Sequence, residues 1–485
     1  MNKKFLEYLN KTGEVGFIQR TIASLVYVEG LPTVRMGEMV MFENGVFGHV
    51  IAFTKDLVEV LSFSDIPLTV GLRVARTGEP LTIPVGEELL GTMITPLGDP
   101  LVQTSSPPTP TRRRAVDIDP LPIRARSKIK QPCDTGVTIV DLMVPLGRGQ
   151  RMLVIGDQKT GKTYFLLRAL LAQIQEGSIG IYVAVGKSKL VVQQVEDFLR
   201  HTKVLHKTII MAAYAEEPAS IIYLAPYAAM TLAEYFRDVG NDVILVIDDL
   251  STHAKMYREI SLLARRSPGR NSYPGDIFYI HSRLLERAGN FITQFGDRSI
   301  TCLPVVEAAL GDLTGYIQTN AISMTDGHIY FDYNLFVEGR RPAINPFLSV
   351  TRVGKQTQQP IKKEINQLLT SFLSSAERLQ TVTSFGAELN QNVKDTLERQ
   401  QQLFTLFGQL AYEVVMPSLQ LFLFALVWNG VWKGKDIDMV SKGLHSVNEQ
   451  YTGSAKIRGR IDDLVHSCST LKDLLSKVQS SQLRT

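Results

Sequence analysis

The pattern of hydrophobic and polar positions changes twice along the chain. From about Glu14 to Leu90, short apolar and β-branched runs such as MVMF and VFGHVIAF follow one another closely, which is typical of strands. The Asn44-Gly45 pair between these two runs predicts a tight hairpin, because such turns need positive φ. The sequence therefore predicts a small antiparallel β-barrel as an N-terminal domain over residues 1–90.

The middle of the chain has a different rhythm. Continuous apolar runs such as RMLVIGD and DVILVIDD alternate with helical segments such as TYFLLRALLAQIQ. A parallel sheet that is covered by helices on both faces requires this alternation. We therefore predict an α/β nucleotide-binding domain with a mostly parallel sheet over residues 91–354.

Two further stretches complete the organisation. Residues 103–115 are rich in Pro, Ser and Thr and end near Arg112, Arg113 and Arg114, so they are predicted to be a linker without regular structure and with solvated arginines. After Lys355 the apolar spacing is helical, which predicts a helical C-terminal domain over residues 355–485. Its segment LQLFLFALVWNGVW is shorter than the roughly 18 to 20 apolar residues of a membrane span, so we predict a helix buried against other helices.

Composition limits the classes of partner and compartment. The 52 basic and 48 acidic residues nearly cancel to a net charge of +4, so the whole-chain charge gives no indication of a nucleic-acid or anionic lipid surface. Cys133, Cys302 and Cys468 are few and far apart, which argues against a disulfide framework and against zinc. The first residues also lack the apolar core of a secretory signal. These features fit a reducing, cytosolic compartment.

A phosphate-binding motif follows the first buried run of the central domain. The motif G-x-x-x-x-G-K-T is matched by Gly156, Asp157, Gln158, Lys159, Thr160, Gly161, Lys162 and Thr163. Its glycines allow backbone N–H groups to surround phosphates, and the following helix N-terminus adds a favourable dipole. We expect Lys162 to reach the β- and γ-phosphates of ATP or ADP, and the Thr163 hydroxyl to ligate Mg²⁺. The motif predicts a RecA-like P-loop domain.

An acidic pair ends a later apolar strand in the segment NDVILVIDDL. Of the two residues, Asp248 is the candidate that presents a carboxylate to the metal, usually through a water molecule. Acidic residues after a strand are also often helix caps, which is the alternative role for this pair. The P-loop favours the metal role for Asp248.

A group that can activate water is missing after the strand IYVAVG. Hydrolysis needs an acceptor of a proton or a hydrogen bond near neutral pH, and the first side chain here is Lys187, whose reference pKa is about 10.4. Lys187 either pairs with phosphate or faces solvent, and the sequence leaves both possibilities open. The chain is therefore predicted to hold a nucleotide without cleaving it.

Several long stretches resemble the α subunit of the rotary, F-type ATP synthase. They are VDLMVPLGRGQRMLVIGDQKTGKT, YLAPYAAMTLAEYFRDVG, IDDLSTHAKMYREISLLARRSPGRNSYPGDIFYIHSRLLERAG, TNAISMTDGHIY and GRRPAINPFLSVTRVGK, within roughly Val15 to Gly354. In this family the residue after the strand-ending glycine is typically glutamine in α and a catalytic glutamate in β. Lys187 at that position therefore implies a non-catalytic site. The family loop usually reads GDRQTGKT, so Gln158 and Lys159 shift the basic side chain by one residue.

The resemblance also implies an assembly and two further site residues. Three α and three β subunits alternate round a central-stalk γ subunit at the cytoplasmic face of the cell membrane or an equivalent membrane, and the chain itself has no membrane span. The short N-terminus, which leaves little room for the usual longer helix, implies an altered attachment to the peripheral stalk and its δ subunit. The segment SVTRVG puts Arg352 on the arginine finger that α supplies to the neighbouring β site. In LFTLFGQLAY, Gln409 lines up with one adenine-binding glutamine and Phe407 stands at the other.

Two other functions remain as alternatives. A self-sufficient hexameric ATPase of a secretion or flagellar export apparatus would need its own catalytic glutamate, and Lys187 argues against it. An RNA translocase of related fold would need a basic and aromatic RNA-binding surface in the barrel, where VFGHVIAFTKDLVEV has aromatic residues but no basic cluster.

Overall fold

The computed structural model describes residues 2–102, 110–384 and 391–481. These residues form two compact units. The first unit consists of Met1–Ser127, Gly177–Glu307 and Leu313–Thr325, and the second of Lys128–Glu176, Ala308–Asp312 and Asp326–Thr485. Because the units are interleaved along the chain, the predicted domain boundaries at residues 90 and 354 stay predictions.

The strands and helices are numbered along the chain. The strands are β1 (Val15–Ile22), β2 (Leu25–Glu29), β3 (Glu38–Phe42), β4 (Phe47–Phe53), β5 (Val58–Ser62), β6 (Arg73–Pro80), β7 (Thr82–Val85), β8 (Met93–Ile94), β9 (Arg112–Ala115), β10 (Pro132–Cys133), β11 (Leu146–Gly147), β12 (Leu153–Gly156), β13 (Ile179–Lys187), β14 (Thr208–Tyr214), β15 (Val243–Asp248), β16 (Gly289–Thr293), β17 (Gly296–Glu307), β18 (Gly327–Phe331) and β19 (Ile344–Thr351). The helices are α1 (Lys3–Thr12), α2 (Thr138–Met143), α3 (Lys162–Gln175), α4 (Lys189–His201), α5 (Ala219–Asp238), α6 (Leu250–Leu263), α7 (Ile277–Leu285), α8 (Tyr316–Met324), α9 (Tyr333–Val337), α10 (Gly354–Thr357), α11 (Pro360–Ser384), α12 (Gln391–Phe407), α13 (Pro417–Trp428), α14 (Ile437–Gly453), α15 (Ala455–His466) and α16 (Leu471–Ser480).

The N-terminal part of the first unit is the predicted barrel. Six antiparallel strands close in the order β1-β2-β5-β4-β3-β6 around buried valines such as Val26, Val40 and Val60. The predicted hairpin joins β3 to β4, and Gly45 has a φ of 94°, which is a left-handed conformation that glycine adopts without strain. The antiparallel barrel is therefore confirmed.

The segment before the barrel is a short helix. It forms the ten-residue α1, capped by the Asn2 side chain. The buried Phe5 packs against Met41 and Ala75 of the barrel, and this contact supplies the tertiary packing that so short a helix needs.

The stretch that was predicted to be a linker also contains regular structure. Arg112–Ala115 is strand β9, which pairs antiparallel with β7, so the expectation of an irregular segment is wrong for these residues. Arg113 donates to the carbonyl of Thr82 at 2.7 Å, and Arg114 forms an ion pair with Asp238 at 2.6 Å. The pairing strand is remote in sequence, so local composition gave no signal of it. Residues 103–109 of the predicted linker lie outside the described residues.

A parallel sheet follows in the same unit, in the order β17-β15-β13-β14-β8, with β16 antiparallel to β17. All six residues of β15 are buried, as a strand covered on both faces requires. The register of β13 and β15 pairs Ala184 with Asp248, so both strands reach their carboxyl ends at the same edge. The predicted parallel architecture is confirmed.

The second unit combines a small sheet with the helical region. Strand β12 pairs parallel with β18, which pairs antiparallel with β19. Helices α11 to α16 make up the C-terminal region, as predicted, and α13 is buried along most of its length, from Leu419 to Val427. None of the described helices combines the length and the hydrophobicity that a membrane span requires.

Candidate functional site

The P-loop lies between β12 and α3 in the second unit. Gly156 lies at the end of β12, where an added Cβ would come within 2.3 Å of the Phe331 carbonyl oxygen, so only glycine fits. Lys159 and Gly161 have φ values of 61° and 95°, and backbone of this kind forms anion-binding concavities. An added Cβ at Gly161 would meet no atom within 4 Å, so the backbone is accessible there. The loop has the space and the backbone conformation that a phosphate group needs.

The polar side chains of the loop hold its shape. Thr160 donates to the carbonyl of Asp157 at 2.7 Å, and the Lys162 ammonium donates to the carbonyl of Gly156 at 2.9 Å. Lys162 is buried at the first residue of α3, whereas Gln158 and Lys159 are exposed and Thr163 is half-buried. The lysine is therefore held against the loop by the loop's own carbonyl groups.

A short segment remote in sequence braces the same loop. The Asp157 carboxylate accepts the Gly311 N–H at 3.1 Å, and the Gly156 carbonyl accepts the Ala308 N–H at 3.0 Å. Sequence reasoning missed this brace, because its two parts lie about 150 residues apart and no local motif marks the segment Ala308–Asp312.

The acidic pair lies in the first unit at the end of β15. Asp249 caps α6, since its side chain accepts the Thr252 N–H at 2.6 Å. Asp248 accepts the hydroxyl of Tyr182 at 2.8 Å. The predicted alternative of a helix cap therefore applies to Asp249, whereas the metal role of Asp248 stays a prediction.

Lys187 adopts an arrangement that sequence reasoning did not consider. Its ammonium lies 2.8 Å from a carboxylate oxygen of Asp248 and 2.8 Å from one of Asp249. Burial disfavours the charge of Lys187, but the two carboxylates outweigh that effect and raise its pKa above the ordinary value. Lys187 is therefore a fixed cation at neutral pH, and it cannot accept a proton from water.

The burial of these groups also affects Tyr182. Burial and the neighbouring Asp248 carboxylate raise the pKa of the Tyr182 hydroxyl well above its usual value. The hydroxyl therefore stays protonated and acts as a hydrogen-bond donor. Together with Lys187, it occupies both oxygens of Asp248.

The remaining predicted residues lie elsewhere in the second unit. Gln409 is buried, and its amide accepts the Thr138 N–H at 2.8 Å and donates to the Gly136 carbonyl at 2.9 Å. It lines a cavity of about 480 Å³ together with Arg340, Arg341, Pro342, Phe404 and Phe407. Arg352 is exposed immediately after β19, and its backbone N–H donates to the Asp326 carbonyl at 3.0 Å. Arg352 therefore lies at the surface of the second unit.

Similarity to known proteins extends over most of the chain. The ATP synthase alpha/beta family, nucleotide-binding domain, matches residues 136–351. An ATP synthase subunit alpha of Caldanaerobacter subterraneus subsp. tengcongensis is 39% identical over 428 residues, which cover 88% of this chain and 84% of that protein. Another ATP synthase subunit alpha, from Staphylococcus aureus (strain JH9), is 41% identical over 387 residues, covering 80% and 77%. The chain belongs to the family of ATP synthase alpha subunits.

Membership of this family implies a bound nucleotide, and the P-loop fits one. A Mg²⁺ ion fits less well at the acidic pair, because both oxygens of Asp248 already accept hydrogen bonds and one of the donors is a cation. Within residues 2–102, 110–384 and 391–481, no group of three or more His, Cys, Asp or Glu side chains is arranged to hold a metal. Thr163, the other predicted metal ligand, is half-buried at the second residue of α3.

Proposed function

We propose that this chain is the non-catalytic, nucleotide-binding α subunit of an F-type ATP synthase. In this role three copies of the chain alternate with three β subunits around a central γ subunit at the cytoplasmic face of the membrane. The complex couples ATP synthesis or hydrolysis to ion transport. The family membership supports the assembly. We propose no specific contact between this chain and the peripheral stalk or its δ subunit.

The observation that carries the non-catalytic role is the fixed ammonium of Lys187. The chain has a complete P-loop, yet the position where a general base is needed holds a cation bound by two buried carboxylates. A self-sufficient ATPase of a secretion or flagellar export apparatus would need a base there. We therefore favour a site that retains ATP or ADP without turnover.

The residues of the proposed nucleotide site have separate roles. Backbone N–H groups of Gly156 to Thr163 bind the phosphates, the Lys162 ammonium contacts the β- and γ-phosphates, and Gln409 lies toward the adenine. When Mg²⁺ accompanies the nucleotide, it supplies charge neutralisation of the phosphates, and Thr163 is its principal protein ligand. Asp248 would contribute only through water.

Arg352 gives the chain a role in the chemistry of its neighbour. A guanidinium supplied from an adjacent subunit can neutralise the charge that develops on the transferred phosphoryl group. Its exposed position after β19 supports this assignment, since a finger must project from its own chain.

Binding and turnover measured on the full chain test the proposed function. Purified chain, free of any β subunit, should bind ATP and show no steady ATP hydrolysis. Lys162→Ala should weaken binding by about tenfold or more, since hydrogen bonds to charged groups contribute about 1.5–3 kcal/mol. Lys363→Ala, which removes an exposed lysine of α11 outside the loop, is the matched control and should bind within about threefold of wild type. Steady turnover by wild-type chain would contradict the non-catalytic role, and unchanged binding by Lys162→Ala would contradict the nucleotide site.

A further inference from the structure

A pair of tyrosines lies at the start of the helix that follows the P-loop. Tyr164 is the third residue of α3 and comes directly after Thr163. Its ring meets the ring of Tyr412 edge to face, with the two ring centroids 5.9 Å apart. Both residues belong to the second unit, and they are 46% and 61% exposed. An exposed aromatic surface therefore adjoins the phosphate-binding loop within one unit.

The geometry of α3 directs the Tyr164 ring toward the phosphate end of the helix. Helical side chains lean toward the helix N-terminus, so each covers the turn before its own Cα. For Tyr164 that turn begins at the N-cap residue Gly161. Backbone N–H groups of a P-loop hold the α- and β-phosphates of a nucleotide. Since the nucleoside is bonded to the α-phosphate, it has to lie close to this end of α3.

The segment that carries Tyr412 is fixed by the buried amide of Gln409. The amide oxygen accepts the Thr138 N–H at 2.8 Å, and the amide nitrogen donates to the Gly136 carbonyl at 2.9 Å. The backbone N–H of Val415 donates to the same Gly136 carbonyl at 3.0 Å. Tyr412 lies between these two anchors in the chain, so its position is set by the protein itself and requires no ligand.

Two other groups that could contact a base are already engaged. Gln409 is 6% exposed, and to bind the edge of adenine its amide would have to release buried backbone groups, which is unfavourable. The Phe404 ring of the neighbouring cavity has the Arg340 guanidinium 3.8 Å above its centroid, so that face of the ring is covered. Tyr164 and Tyr412, in contrast, retain exposed ring surface.

We propose that Tyr164 and Tyr412 form a stacking platform for the base of the bound nucleotide, so that the chain binds purine nucleoside triphosphates with little discrimination between adenine and guanine. The inference rests on the proposed nucleotide site and names the contact that holds the base there. Stacking tolerates a change of base because every base has a π-face, whereas hydrogen bonds to a base edge do not. Gln409 is then a positioning residue that fixes the segment of Tyr412.

The affinities of wild-type chain for three ligands test the proposal. Dissociation constants of ATP, GTP and tripolyphosphate, which has the phosphates without a nucleoside, are measured on the full chain by calorimetry in excess Mg²⁺. ATP and GTP should bind within about threefold of each other. Tripolyphosphate should bind at least about tenfold more weakly, because it lacks the stacked base.

Variants of Tyr164 separate a contact with the base from a contact with the phosphates. Tyr164→Ala keeps a good helix former in α3 and should weaken ATP and GTP binding by about tenfold each, while the affinity for tripolyphosphate stays unchanged. Tyr164→Phe keeps the ring and should bind ATP within about threefold of wild type. The matched control is Tyr279→Ala, which removes a 63% exposed tyrosine of α7 in the first unit and should leave all three affinities unchanged.

A spectroscopic measurement reports the same contact directly. Tyr164→Trp keeps an aromatic ring at this position, and ATP should quench the fluorescence of the introduced indole by stacking on it. Tripolyphosphate should leave that fluorescence unchanged. Quenching of equal size by both ligands would contradict a contact between this position and the base.

Each result bears on a different claim. Wild-type chain that binds ATP more than about tenfold more tightly than GTP would overturn the stacking platform, and this result needs no variant to fold. Unchanged ATP affinity in a folded Tyr164→Ala variant, or an equal loss for ATP and tripolyphosphate, would overturn it as well. These results leave binding at the P-loop intact. Absence of binding of both ATP and tripolyphosphate by wild type would instead refute the proposed nucleotide site, and with it the inference.

Discussion

Arg168 is a buried cation that the described part of the chain leaves poorly paired. It lies on α3 with 2% of its surface exposed, and burial lowers the pKa of its guanidinium to about 10. Its Nε donates to the Tyr164 carbonyl at a long 3.4 Å, and its Nη1 has no hydrogen-bond partner among the described residues. The Glu413 carboxylate attracts the Arg168 guanidinium, but within the described residues the two side chains form no direct ion pair. We therefore predict that Arg168→Met stabilises the protein.

The size of this effect follows from the pKa. A change from 12.5 to about 10 corresponds to a penalty of about 3 kcal/mol on the charged form in the folded state. Methionine has a similar length and nearly the same helix propensity, so it keeps the packing of α3. Since replacing poorly compensated buried charges by apolar groups stabilises proteins by about 1–4 kcal/mol, we expect about 1–3 kcal/mol here.

Urea denaturation followed by circular dichroism measures the change. With a slope of about 3 kcal/mol per M, a gain of 2 kcal/mol raises the midpoint by about 0.7 M. The control is Arg200→Met, which removes an arginine whose side chain is 62% exposed, and its midpoint should correspond to a change within about 0.5 kcal/mol. A loss of more than about 1 kcal/mol in Arg168→Met would show that attraction to Glu413 outweighs desolvation, and the reasoning would be refuted.

Two further predictions concern acid stability and the neighbouring catalytic site. His253 and His281 are fully buried with ring nitrogens 3.0 Å apart, and burial lowers the pKa of His281 to about 4. In the unfolded chain the His281 imidazole takes up a proton near pH 6.5, so the free energy of unfolding should fall by about 3 kcal/mol between pH 6.5 and 4 from His281 alone. The urea midpoint should therefore depend less steeply on pH in His281→Gln than in wild type. An unchanged pH dependence would contradict the assignment. In a complex reconstituted with the β subunit, Arg352→Lys should keep assembly and nucleotide binding but reduce the rate of ATP hydrolysis by roughly two orders of magnitude, because lysine lacks the paired donors of arginine. A rate near that of wild type, in confirmed hexamers, would refute the finger role.

The sequence predicted the features whose information is local. The P-loop is a contiguous motif between a strand and a helix, and the Asn44-Gly45 hairpin needs only its own two residues and their flanking strands. Both could be predicted because backbone conformation at those positions depends mainly on the residues themselves. The same holds for the parallel sheet, whose continuous apolar runs are required by burial on both faces.

The contacts that escaped prediction join residues far apart in the chain. Lys187 meets Asp248 only because β13 and β15 are adjacent in a defined register, and periodicity does not specify which strands are neighbours. Strand β9 likewise depends on its pairing with β7, and the brace of the P-loop depends on Gly311 reaching Asp157. The partners of these residues are a property of the tertiary structure.

The cation at position 187 matches the charges that surround it in the interior. Asp248 and Asp249 are two carboxylates at neighbouring positions, nearly inaccessible to solvent, and Lys187 supplies the positive charge that offsets their repulsion. A glutamate at position 187 would put a third negative charge in the same place, where two like charges 4 Å apart repel by roughly 4 kcal/mol at an effective dielectric constant of 20. Such a glutamate would turn away from the acidic pair or take up a proton, and in neither state could it serve as a well-placed base near neutral pH. We therefore expect that Lys187→Glu alone gives the purified chain no steady ATP hydrolysis, because the acidic pair around the position is arranged for a cation.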